Sequence, residues 1–179
     1  MSNMSVKIYS AAVLGLEAEI VEVEAGLGGG QLGSFATVGL PDIAVSEARE
    51  RVRNAIKNSN IDFPHVKVTV NLAPANIKKQ GSGYDLPIAV SIIAALGKLK
   101  NSQVDFDKAL FVGELALDGR LRPVTGVLSI ALSAARHGFE RLFVPSANAC
   151  EAALVSGVEV LPLDNLAQLI KHLLGQELL

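Results

Sequence analysis

Gly113-Glu114-Leu115-Ala116-Leu117-Asp118-Gly119-Arg120-Leu121-Arg122-Pro123-Val124 reads as a β-hairpin. Two short β-forming runs flank Asp118-Gly119, a pair suited to the two positive φ angles of a type I′ turn. A strand at 109–112 leads into it. Beyond it helix and strand alternate: a helix over 127–136 ending at Gly138, a strand at 141–144, and a short helix over 147–154 capped by Ser146 and ended by Gly157. A strand at 158–161 follows, then a last helix capped by Asp164 and closed by Gly175. That alternation implies right-handed parallel crossovers.

Upstream the pattern differs. Residues 8–13 and 20–25 are β-branched segments that predict an antiparallel pair. The glycine-rich stretch from Gly26 to Gly33 then predicts a mobile hairpin loop into a third strand at 34–38. A strand rather than a helix follows these glycines, which argues against a phosphate cradle. Val45, Ala48, Val52, Ala55 and Ile56 fall at helical spacing over 43–58, with Asp42 as N-cap. The outer face of that helix carries Arg49, Arg53 and Lys57, with Glu47 and Glu50 placed to pair with Arg51 and Arg53. It reads as a solvated face or as a docking face for nucleic acid or a partner. A strand at 66–72 and a polar loop at 76–83 precede an apolar helix from an Asp85 cap to Gly97, buried on more than one side. Hairpins first and crossovers later predict a mixed sheet.

Composition agrees. The chain has 179 residues, half of them apolar but only 4% aromatic, with no Trp. Ala, Val, Leu and Ile must therefore fill the core, which favours helices layered on a sheet. A net charge of -2 excludes a polybasic nucleic-acid binder and confines any such contact to a local patch. The single Cys150 excludes a disulfide framework and a cysteine-rich zinc site. The apolar run 86–96 falls well short of the roughly 18 residues of a membrane span, and Glu17, Glu19, Glu22 and Glu24 interrupt the place of a signal peptide. The expected location is the cytoplasm. His65, His137 and His172 are scattered as surface or cap residues, so no metal site is expected. Gly97-Lys98 lacks the Ser or Thr and the preceding turn of a P-loop, so no nucleotide site is expected here either.

Five blocks in order carry a resemblance: Val38-Gly39-Leu40-Pro41-Asp42, Glu50-Arg51-Val52-Arg53-Asn54-Ala55-Ile56, Val70-Asn71-Leu72-Ala73-Pro74-Ala75, Tyr84-Asp85-Leu86-Pro87-Ile88-Ala89 and the hairpin from Gly113 to Val124. They resemble the N-terminal domain of the Mg-chelatase-like AAA+ ATPases, the ComM competence family, over nearly the whole chain. The resemblance implies an α+β domain of the ribosomal protein S5 domain 2-like fold, shared with the Lon proteolytic domain and the end domain of RadA. It implies one domain over 1–179, with an AAA+ module carrying ATP and Mg2+ expected after residue 179.

The Lon likeness raises the question of a Ser-Lys peptidase. Matched residue by residue, Gly81-Ser82-Gly83 meets the nucleophile turn, and Pro123-Val124-Thr125-Gly126-Val127-Leu128 meets the turn before the base. Gly83 falls at the nucleophile position and Leu128 at the base position. Ser82 is one residue off, and no lysine lies between Lys108 and Lys171. The expectation is a non-catalytic accessory domain. The family implies a hexameric motor with helicase-like branch migration of DNA in natural transformation, so this domain would support the ring and contact DNA. Lys78, Lys79, Arg120 and Arg122 are the expected phosphate contacts, their alternative being ordinary surface charge. The competing readings are a protein-protein adaptor, acting through the Gly26 to Gly33 loop or a sheet edge, and a degenerate Lon-like serine hydrolase. Porphyrin chemistry belongs to other chelatase subunits.

Overall fold

The computed structural model describes residues 6–179, so residues 1–5 of the expected 1–179 domain lie outside the described residues. Nine strands and five α-helices follow one another as β1 (Ile8–Leu14), β2 (Glu17–Leu27), β3 (Phe35–Val38), α1 (Ile43–Asn58), β4 (Val68–Ala73), α2 (Asp85–Ala95), β5 (Ala109–Phe111), β6 (Glu114–Leu115), β7 (Leu121–Arg122), α3 (Val127–Arg136), β8 (Arg141–Pro145), α4 (Ala149–Ala152), β9 (Glu159–Leu163) and α5 (Leu166–Leu173). Seven strands form one mixed sheet in the order β3-β4-β2-β1-β5-β8-β9, and β6-β7 form a separate ribbon. The architecture is α+β, as expected.

β1 and β2 pair antiparallel from Ile8↔Val23 to Leu14↔Glu17, as expected. β5, β8 and β9 are parallel neighbours, the crossovers read from the second half. The expected hairpin between β2 and β3 does not form. β4 inserts between them, antiparallel to β2 and parallel to β3. The glycine loop bonds instead to the chain entering β4, through Gly28 N–H to the Lys67 carbonyl (3.0 Å) and Gly33 N–H to that of His65 (2.7 Å). Sequence adjacency favours a hairpin, but pairing on both sides of β4 buries Val68, Val70 and Leu72 completely, and that wins.

Helices cover both faces. α1, α2 and α5 pack with Ile8, Val21, Val70 and Phe143 on one side, while α3 and α4 pack with Ala11, Leu110 and Leu142 on the other. α1 buries the five residues its periodicity marks, and Asp42 caps it by accepting the Val45 N–H at 2.8 Å. α2 is buried from Asp85 to Ala94, in keeping with its continuous apolar run. Gly39 sits at φ 100° with its α-carbon against β4, where an added Cβ would lie 1.9 Å from the Leu72 carbonyl oxygen.

Local chemistry differs from expectation at four points. Tyr84, not Asp85, occupies the N-cap of α2, because the Asp85 carboxylate is drawn into an ion pair. The hairpin turn is not type I′. Gly119 N–H returns to the Ala116 carbonyl and Gly119 alone of the Asp-Gly pair takes positive φ (89°), the mark of a type I turn followed by a glycine bulge. Asp118 instead accepts the Arg120 N–H. Ser146 starts a 3-10 turn and its hydroxyl donates to Asp164, which leaves Asn165 to cap α5 through the Gln168 N–H at 2.8 Å.

A cleft between the serine turn and the Pro123 turn

β2 opposes both β1 and β4, so β1, β4 and β5 run the same way and their C-terminal ends meet on one side of the sheet. A cleft of about 310 Å³ opens there, between Gly81–Tyr84 and Pro123–Thr125, with Ala11, Val13, Val112 and Ile130 as its floor and walls. Glycine-rich and proline-led turns at strand ends deliver side chains into such a cleft because the sheet and helices behind them are rigid. The two turns matched to the Lon motifs, 40 residues apart in the chain, are therefore brought together.

Each wall is held by specific bonds. The Asp42 carboxylate caps α1 with one oxygen and accepts the Gly81 N–H with the other at 3.0 Å. Gly113 N–H donates to the Gly83 carbonyl (2.9 Å), and Leu86 N–H to that of Gly113 (3.0 Å). Across the cleft, buried Asn148 holds Val124 by both backbone groups, each at 2.9 Å. Tyr84 is buried beneath the turn, and burial, with the Asp42 charge, pushes its hydroxyl above the usual phenol range.

The Ser82 hydroxyl donates to Glu114, whose other oxygen lies 3.7 Å from the Arg122 guanidinium. No lysine is among the residues lining the cleft. Leu128 stands on the first turn of α3, 38% exposed, and does not line it. Gly83, at the nucleophile position, has room for little more: a Cβ would meet Val112 at 3.2 Å. A hydroxyl, a carboxylate and a guanidinium can bind a polar group here, but an amine base is not at hand.

Next to the cleft lies a second charged group that sequence reasoning missed. Arg51 grips Asp85 with two hydrogen bonds, 2.6 and 3.0 Å, instead of pairing with Glu47 or Glu50. Asp85 is fully buried and also accepts the Leu115 N–H at 3.1 Å, so α1, α2 and the hairpin share one carboxylate. Burial pushes the Asp85 carboxyl up to about 6, against the opposing pull of Arg51. Arg53, the other expected partner of the glutamates, donates to the Gly33 carbonyl (2.8 Å) and lies over the Phe63 ring.

The four expected phosphate contacts are not equivalent. Lys78 is exposed on its loop. Lys79 is fully buried and its ammonium donates to the Pro74 carbonyl, which corrects its place among surface contacts. Its backbone bridges to Pro41, and that pairing turns the side chain inward, where burial lowers its pKa. Arg120 is exposed and pairs with Asp118 at 2.7 Å, and Arg122 is exposed beside Glu114. His137 is the C-cap of α3, as read from Gly138. His172, in the last turn of α5, is half-buried: it meets the Phe143 ring edge-on, and burial lowers its pKa. Among the described residues no group of three or more His, Cys, Asp or Glu is placed to hold a metal, and no helix is long and apolar enough to cross a membrane.

Fold and cleft together define an α+β domain in which a serine-bearing turn faces a carboxylate at the strand ends. The chain belongs to the family of subunit ChlI of Mg-chelatase, whose profile matches residues 21–148. It is 42% identical to the competence protein ComM of Haemophilus influenzae over 171 residues, 95% of this chain and 33% of that protein. It is 40% identical to the uncharacterized protein YifB of Escherichia coli over 172 residues, again 33% of that protein. A weaker likeness, 25% over 115 residues, covers 64% of this chain and 17% of the archaeal Lon protease of Methanocaldococcus jannaschii. The chain thus spans a third of the length of the ComM and YifB relatives it matches.

Proposed function

We propose that this chain is the non-catalytic N-terminal accessory domain of a Mg-chelatase-like AAA+ ATPase of the cytoplasm, in which it supports a hexameric ring and contacts DNA. One domain covers residues 1–179, its fold is ribosomal protein S5 domain 2-like, and the weak Lon likeness supports that reading. ATP and Mg2+ belong to the motor module of the whole protein, whose work is branch migration of DNA during transformation, a reading supported by the likeness to ComM.

The observation that carries the non-catalytic reading is the state of Ser82. A Ser-Lys nucleophile needs an amine within reach of its hydroxyl. Here the hydroxyl donates to Glu114, which is tied to Arg122, in a cleft with no lysine in its lining.

Lys78, Arg120 and Arg122 remain as DNA contacts. Arg120 and Arg122 sit in exposed ion pairs, which solvent screens, so either arginine exchanges its carboxylate for a phosphate at little cost. The test is binding of a labelled single-stranded oligonucleotide across a salt series. Each phosphate contact contributes a slope of about -0.7 in log K against log salt, so changing all three residues to Gln lowers the slope magnitude by about 2. An unchanged slope and affinity would remove DNA contact at these residues.

A further inference from the structure

Glu114 opens β6, and the bonds beside it fix where its carboxylate stands. Gly113 donates its N–H to the Gly83 carbonyl and accepts the Leu86 N–H at its own, so the strand begins against the serine turn. The Glu114 side chain is 24% exposed and lines the cleft. A carboxylate offers about four acceptor sites. The Ser82 hydroxyl fills one. The Arg122 guanidinium, 3.7 Å from the other oxygen, is beyond hydrogen-bond range and is not among the residues lining the cleft. Most of the acceptor capacity of Glu114 is therefore unused among the described residues.

Charge in the cleft has one sign. Among the described residues that line it, Glu114 alone carries a charge, because Tyr84 stays neutral with its hydroxyl above the usual phenol range. Ala11, Val112 and Ile130 are buried and make the depth of the cleft apolar, while Gln80 and Thr125 are exposed at its mouth. A carboxylate set in an apolar wall matches a ligand with a cationic head and a hydrocarbon stem. A volume of about 310 Å³ lies at the small end of ligand sites, which run from about 300 to 1,000 Å³, so the stem is short. An anion is repelled by Glu114. A divalent ion lacks ligands, since among the described residues no group of three or more His, Cys, Asp or Glu is placed to hold one.

We propose that the cleft is a binding site for a small primary aliphatic amine, whose ammonium sits on Glu114 and whose hydrocarbon stem lies against Val112, Val124 and Ile130. A hydroxyl donates one hydrogen bond and accepts up to two, so Ser82 keeps its bond to Glu114 and accepts an N–H of the ammonium as well. The ammonium thus gains a charge-assisted bond and a neutral one, in a cleft whose lining holds no lysine of its own. The site is independent of the DNA contact: none of Lys78, Arg120 and Arg122 lines the cleft.

The probe is n-pentylamine, titrated into the isotope-labelled chain and followed by nuclear magnetic resonance at the amides of Gly81, Gly83 and Thr125. The wild-type chain binds it saturably. It binds n-pentanol, which has the same stem and no charge, at least about tenfold more weakly. Each methylene added between n-propylamine and n-pentylamine tightens binding about fourfold, as burial of that group against the apolar wall requires. Glu114→Gln keeps the shape of the side chain and removes its charge, so it weakens pentylamine about tenfold and leaves pentanol unchanged, a difference that misfolding does not produce. Thr125→Trp fills the cleft from its mouth and weakens both ligands, and it serves as the second variant if Glu114→Gln disturbs folding, which circular dichroism checks. Shifts that never saturate overturn the site, as do equal binding of pentylamine and pentanol or undiminished pentylamine binding by either variant. Tighter binding of Nα-acetyl-lysine amide than of pentylamine overturns a free amine as the occupant.

Discussion

Arg51→Met isolates what the shared carboxylate contributes. Arg51 is only partly exposed and Asp85 not at all, so removing the guanidinium leaves a buried charge whose remaining polar contact is the Leu115 N–H. Breaking such a pair costs about 3–5 kcal/mol. The cost depends on pH. Burial already places the Asp85 carboxyl at about 6, above the 3.8 of an ordinary aspartate. The folded state therefore holds this proton more tightly than the unfolded chain does. The associated stability is fully present below about pH 4 and is lost as pH rises through about 6, at roughly 1.4 kcal/mol for each pH unit between those two limits. Both effects of Arg51 lower this pKa, so Arg51→Met raises it further and extends the loss above pH 6. At pH 5 the carboxyl is neutral in the variant, and the cost reduces to the lost bonds of the guanidinium, among them that to the Ala44 carbonyl at 3.0 Å, about 1 kcal/mol. At pH 8 it reaches about 3–5 kcal/mol. Urea unfolding followed by far-ultraviolet circular dichroism measures both, since the chain has no Trp. Adding Asp85→Asn removes the buried charge, so at pH 8 the double variant is more stable than Arg51→Met alone. Equal losses at pH 5 and pH 8, or a double variant no more stable than the single one at pH 8, would refute the reasoning.

Other outcomes follow from single contacts. Gly39→Ala drives a methyl group into the Leu72 carbonyl and destabilises the chain by about 3 kcal/mol or more in the same urea assay. Leu40→Gly, by contrast, relieves a positive φ of 62° at an exposed side chain, and stability changes by less than about 1 kcal/mol because glycine also loosens the unfolded state. Asn148→Ala leaves both backbone groups of Val124 unbonded, which costs about 2 kcal/mol and speeds amide exchange at Val124, read by nuclear magnetic resonance. Neither the wild-type chain nor Ser82→Ala hydrolyses unfolded casein. Turnover by the wild type that disappears in the variant would show a working nucleophile.

Local chemistry was legible in advance because its causes lie within a few residues. The five buried residues of α1 and its Asp42 cap follow from spacing and one side chain. The continuous apolar run of α2 announces a helix buried all round, and Asp118-Gly119 announces the hairpin, though not its turn type. The two turns that form the cleft were visible as motifs, and Glu114 stood in plain view at the start of the hairpin without any sign of its role.

Tertiary structure decided what depends on partners far away in sequence. Ser82 meets Glu114 across 32 positions and Arg51 meets Asp85 across 34, and no local rule selects one acceptor among 18 acidic residues. The place of β4 between β2 and β3 was settled by the burial of Val68, Val70 and Leu72 against two neighbours. The backbone bridge to Pro41 turned Lys79 inward, where its sequence context alone reads as solvated charge. Periodicity and capping act through the backbone's nearest turns, so a sequence displays them. Strand order and buried charge pairing are set by which surfaces exclude water together, and that is a property of the folded whole.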